Sequence, residues 1–177
     1  MESGQGTAHP PRSFHKSHLQ QASEEDVKKK PKGKVKAAGI VIFIKKPRCQ
    51  FLLMRHPDRW DLPKGHCEPK ETYLETALRE TQEETGIDAD AIEVDDSFEF
   101  AIEYPVSYKR WGDEVFTKKV KYFLGYLPDQ PELTLTEHPS AKWFEWAPPH
   151  QIQSQTIDPL LRAIAEHFGS NDCTNED

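Results

Sequence analysis

Apolar and polar positions follow two different periods along this chain, and the places where the period changes mark its elements. Residues 1 to about 34 show almost no periodic apolar positions and are rich in Ser, Gln, His, Pro and Lys, which predicts a disordered tail. Order begins near Lys36, where KAAGIVIFIKK is a short β-branched apolar run of the kind found in buried strands. Gln50 to Arg55 reads as its hairpin partner across a turn near Pro47. Trp60 to His66 is a short segment leading to a helix. Ser97 to Tyr108 and Glu114 to Leu127 predict two long strands joined by a turn at Trp111-Gly112-Asp113, and Trp143 to Trp146 one more.

Two helices punctuate these strands. Thr72 with Glu75 makes a capping box, good helix formers run to Thr85, and Gly86 supplies a left-handed closing residue. At about 100° per residue, Leu74, Ala77, Leu78, Thr81 and Thr85 share a packing side, while Glu80, Glu83 and Glu84 crowd the neighbouring one. In the second helix Asp158 is the expected N-cap, Pro159 the first helical residue, Leu160, Leu161, Ile164 and Phe168 the apolar stripe, and Gly169 the end. Residues 170–177 are expected to fray. This order predicts an α+β domain over residues 35–169, a mixed sheet with helices on both sides.

At 177 residues the chain suits one domain. Its net charge of −7 is uneven: eight basic against four acidic residues give residues 1–36 a charge of +4 and leave −11 for the rest. A basic tail raises contact with nucleic acid or an anionic surface. No aromatic residue interleaves the lysines at 28–36 to stack bases, so a solubilising extension is the preferred reading. The tail has no apolar core of a signal peptide, and the longest apolar run, Ala37 to Ile44, is far short of the roughly 20 residues of a membrane helix. Cys49, Cys67 and Cys173 are scattered, which predicts reduced thiols in the cytoplasm and neither a disulfide framework nor a zinc site. Oligomeric state is open, with a monomer favoured.

Glu80, Glu83 and Glu84 stand at i, i+3 and i+4, where solvated carboxylates repel by a few tenths of a kcal/mol per pair unless a cation sits among them. Oxygen-only ligands favour Mg²⁺ or Mn²⁺ over zinc. Three glutamates alone would be an ordinary solvated helix face; the spacing of the whole stretch overturns that. Gly65, Glu71, Arg79-Glu80, Glu83-Glu84, Gly86 and Ile87 resemble the Nudix box, with Thr81 departing from the family's aliphatic residue on the packing side. The resemblance implies an αβα sandwich and water attack on one phosphorus of a diphosphate linkage, with Mg²⁺ (or Mn²⁺) held by box glutamates. It implies Glu80 and Glu84 as leading ligands, Glu83 as co-ligand or base, a Glu71–Arg79 ion pair bracing the loop, and the Gly65 carbonyl as a further donor. Which carboxylate takes the proton stays open. Of Glu99, Glu103 and Glu137, the expected ligand from outside the box is Glu137, on an irregular stretch able to close over substrate.

Within the family the chain looks most like animal-type diadenosine tetraphosphate hydrolases over residues 36–165. Phe51-Leu52-Leu53, Trp60 with Pro63-Lys64-Gly65-His66, the run from Leu74 to Glu84, and Glu137-His138 ahead of Trp143 carry that likeness. It implies that Lys64 contacts phosphate, Tyr104 stacks on adenine and Lys118 reaches the phosphate chain; Arg59, standing where the subfamily tends to have His, joins them as a substrate-binding candidate. The bland alternatives are a packing Tyr104 and a solvated lysine face at 118 to 121. Arg55, Arg59, Lys64 and those lysines also suit a diphosphoinositol polyphosphate phosphohydrolase or a general nucleotide pyrophosphatase. A non-catalytic nucleotide-binding module has no use for the full carboxylate set.

Overall fold

The computed structural model describes residues 20–21 and 30–169. Its strands are β1 (Gln20–Gln21), β2 (Val35–Ile44), β3 (Gln50–Arg55), β4 (Trp60–Asp61), β5 (Lys64–His66), β6 (Glu93–Val94), β7 (Phe100–Ser107), β8 (Val115–Leu127) and β9 (Ser140–Glu145), with helices α1 (Tyr73–Thr85) and α2 (Ile157–Phe168). They form one mixed sheet with the path β1-β7-β8-β2-β3-β4, from which β5 pairs with β2, β6 with β8 and β9 with β3.

β2 is the centre. It runs antiparallel to β3 and β5 and parallel to β8, from Val35 opposite Lys118 to Ile44 opposite Leu127. Every residue of β2 except Lys36 is buried, as a strand covered on both faces requires. Its alternation feeds two cores. Ala37, Val41 and Phe43 join Phe51, Leu53, Val120, Tyr122 and Leu124 under Leu160, Leu161 and Ile164 of α2. Ala38, Ile40, Ile42 and Ile44 join Leu52 under Ala77 of α1 and Ile87. The αβα layering expected from the sequence is therefore present.

α1 follows its sequence signals: Thr72 is the N-cap, both halves of the capping box form, and Gly86 closes the helix at φ 75°. Thr81 is fully buried and satisfies its hydroxyl on the Ala77 carbonyl at 2.8 Å, which is how the core tolerates it. α2 differs at its start. The helix begins at Ile157 with Thr156 before it, and Asp158 lies inside the first turn. Its carboxylate accepts from the backbone N–H groups of Ile152 and Gln153, while Gln153 Oε1 accepts from Thr156 and Ile157, so a glutamine side chain performs the capping expected of Asp158.

Most of the tail expected over residues 1–34, and all of residues 170–177, lie outside the described residues. Within it, β1 pairs parallel with Val106 and Ser107 of β7, and Lys30 and Lys34 form exposed ion pairs with Glu114 and Glu103. Cys67 is a free thiol, but Cys49 is disulfide-bonded, which corrects the expectation of reduced thiols at that position. Separation along a chain says nothing about which sulfurs meet in the fold. Among the described residues no helix is long and apolar enough to cross a membrane.

Candidate active site

The site is built around the three residues of β5, whose side chains alternate across the sheet. Gly65 faces α1. A Cβ there would overlap the Glu80 carboxylate, so only glycine lets that carboxylate lie against the strand. Lys64 faces the other way: it stands opposite Gly39 of β2, where a Cβ would come within 2.8 Å of the Lys64 Cβ. Consecutive residues of β5 thus serve the carboxylate side and the cation side from opposite faces of the sheet.

On the α1 side Arg79 is the hub. Its guanidinium grips Glu71 through two nitrogens at 2.7 and 3.0 Å, donates to Glu80 at 2.7 Å and Glu83 at 3.0 Å, and reaches the His66 carbonyl at 3.2 Å. The expected Glu71–Arg79 ion pair is present and its hydrogen bonds hold the Glu71 carboxyl down at about 2. Burial pushes Glu80 the other way, up to about 7, against the pull of Arg79 and with the help of Glu84 and Glu83. A carboxyl driven toward protonation by burial and like charge is one that a bound cation would relieve.

Glu137, the residue expected from outside the box, lies near Glu84. Ligand atoms of Glu84, Glu137 and His138 lie within 4.8 Å of one another, and His138 Nε2 is 3.1 Å from Glu84 Oε2. The stretch carrying Glu137 is irregular, as expected, but it is fastened to α1: Thr134 N–H donates to the Thr85 carbonyl at 2.8 Å and the Thr136 hydroxyl to the Glu83 carbonyl at 2.8 Å. The competing carboxylates are engaged elsewhere, Glu99 with Lys121 at 2.7 Å and Glu103 with Lys34 at 2.8 Å. The donor set therefore fits a divalent ion, yet it is not oxygen-only.

On the cation side a residue the sequence reading passed over organises the group. Asp61 is 3% exposed and accepts from Lys64 Nζ at 2.6 Å, Arg59 Nε at 3.3 Å and the Leu62 N–H at 2.9 Å. Burial alone would raise its pKa, but Lys64, Leu62 and Arg59 together hold it below the ordinary carboxylate value. Tyr104 and Lys118 stand opposite each other on β7 and β8, on the sheet face of Val120 and Tyr122. Tyr104 is half-buried against the core and Lys118 is 8% exposed, so neither belongs to a freely solvated face.

His56 joins the two sides. Its ring lies 4.3 Å from that of His138, and burial followed by the nearby Lys64 lowers its pKa to about 4, leaving it neutral at pH 7. His56, Asp61 and His138 carried no periodic or spacing signal of their own; the one hint was the position of His138 beside Glu137. The cavity lined by Pro148, His150 and Arg162 against α2 contains none of these residues.

Residues 33–168 match the family model described as NUDIX domain, so the chain belongs to the Nudix hydrolase family. An asymmetrical bis(5'-nucleosyl)-tetraphosphatase from Rattus norvegicus is 36% identical over 121 residues, covering 62% of this chain and 78% of that protein. The Caenorhabditis elegans protein of the same name is 34% identical over 116 residues, covering 63% and 79%. A crystal structure of a C. elegans Ap4A hydrolase binary complex superimposes with a TM-score of 0.65 at 31% identity, covering 76% of this chain and 97% of that one.

Proposed function

We propose that this Nudix hydrolase cleaves the diphosphate linkage of a nucleoside polyphosphate, and that diadenosine tetraphosphate is its substrate, split asymmetrically into ATP and AMP. The observation that carries the reading is β5, where Gly65 leaves room for the Glu80 carboxylate on the α1 side while its neighbour Lys64 joins the cation group around Asp61 on the other face. Similarity to asymmetrical tetraphosphatases supports the choice of substrate.

Glu80, Glu84 and Glu137, with Glu83 and the Gly65 carbonyl, are the residues that would hold Mg²⁺ or Mn²⁺, which neutralises phosphate charge and makes a bound water acidic. The protein's own groups position everything else. Arg79 fixes the Glu80 and Glu83 carboxylates, and Asp61 aims Lys64 and Arg59 at the polyphosphate. Lys118 extends the cation track along β8. Tyr104 stacks on one adenine, anchoring that end so that water meets the chain at a fixed distance from it.

Product analysis with a panel of dinucleoside polyphosphates, nucleotide sugars and diphosphoinositols in Mg²⁺ tests this. The expected result is ATP plus AMP from diadenosine tetraphosphate, with the highest kcat/KM of the panel. Two ADP, or a higher kcat/KM for a diphosphoinositol, overturns the substrate assignment.

A further inference from the structure

We infer that His138 is a nitrogen ligand of the metal site, so that the position framed by Glu84, Glu137 and His138 takes a first-row divalent transition ion, with Mn²⁺ bound in preference to Mg²⁺. The inference rests on reading this cluster as the metal site and adds which ion it selects.

The geometry suits shared coordination. Two ligand atoms on adjacent corners of an octahedral ion with bonds of about 2.1 Å are roughly 3.0 Å apart. His138 Nε2 and Glu84 Oε2 are 3.1 Å apart, and the third ligand atom, from Glu137, lies within 4.8 Å of both. The Glu84 and His138 side chains are only 6% and 11% exposed, so the ion would exchange little of its coordination for bulk water there.

His138 is also held in place. His56 packs on its ring at 4.3 Å, and the hydrogen bonds from Thr134 and Thr136 to the end of α1 fix the backbone before it. A ring ordered before the ion arrives costs little further entropy to use as a ligand. An imidazole donor separates these ions further than carboxylates alone: Mg²⁺ keeps oxygen donors and water, whereas first-row transition ions also take nitrogen ligands.

The test is Mn²⁺ titrated into metal-depleted protein and followed by electron paramagnetic resonance, with Mg²⁺ as competitor and ¹⁴N modulation of the electron spin echo as the direct readout. The wild type is expected to hold Mn²⁺ at least about tenfold more tightly than Mg²⁺ and to show nitrogen modulation. His138→Gln should lose the modulation and at least about tenfold in Mn²⁺ affinity, with Mg²⁺ affinity changing less than about threefold. His138→Asn serves as the second variant, and melting curves identify a variant that has lost its fold. Absence of modulation in the wild type, modulation that survives in both variants, or equal weakening of both ions overturns the inference. Should Mg²⁺ bind as well as Mn²⁺ while the nitrogen modulation is present, the ion preference alone falls; if neither ion binds, the metal-site reading falls with the inference.

Discussion

Two glycines set the positions of the site's side chains, and alanine at each should fail differently. At Gly65 the new Cβ meets only the far end of Glu80, a flexible side chain that can swing away. Gly65→Ala is expected to keep its melting temperature within about 3 °C of wild type and lose about 10²-fold in turnover, the effect of displacing a reacting group by an ångström. At Gly39 the Cβ comes within 2.7 Å of the Pro63 carbonyl oxygen and 2.8 Å of the Lys64 Cβ, and backbone cannot swing away. Gly39→Ala should cost about 1–3 kcal/mol of stability, measured by urea unfolding. The glutamates of α1 were legible because i, i+3, i+4 spacing survives in sequence. Asp61 and His138 were not: Asp61 acts by gathering cations from both sides of a tight turn, and His138 meets a glutamate 54 residues away.

The elements show the same division between local and distant causes. α1 was readable from Thr72 to Gly86 because capping is a short-range signal, whereas β4, β5 and β6 have only two or three residues each and carry no period. The parallel pairing of β2 with β8 is set by which apolar faces can be buried together. Between α1 and the loop before it, Arg79 and Glu71 form the brace. Because the folded Glu71 carboxyl sits near 2, below its ordinary value, its contribution to stability is complete above the ordinary carboxylate range and is lost as pH falls toward 2. Glu71→Gln should therefore melt below wild type at pH 6, and the gap should close between about pH 4 and pH 2 when melting is followed across that range.

At the scale of the molecule, the proposed function asks a domain of net negative charge to handle an anionic substrate, which would concentrate the electrostatic work at Arg59, Lys64 and Lys118 and at an ion among the glutamates. The segment before Lys30 carries four basic and four acidic residues and so no net charge, and among the described residues it pairs with the domain through a two-residue strand. The exposed ion pairs of Lys30 and Lys34 are worth about 0–1 kcal/mol each and survive removal of the segment before them. Deleting residues 1–29 should leave the melting temperature within about 3 °C and turnover unchanged; a larger fall would make the tail part of the folded domain.

The central claim is that the carboxylates gathered by α1 and the Glu137 loop form the reacting centre. Glu84, buried at 4% exposure between α1 and His138, is its best single probe. Glu84→Gln keeps the shape and removes one ligand charge. Steady-state turnover at saturating Mg²⁺ or Mn²⁺ should fall by orders of magnitude, with the fold retained; a variant that keeps more than about a tenth of wild-type turnover would contradict the assignment.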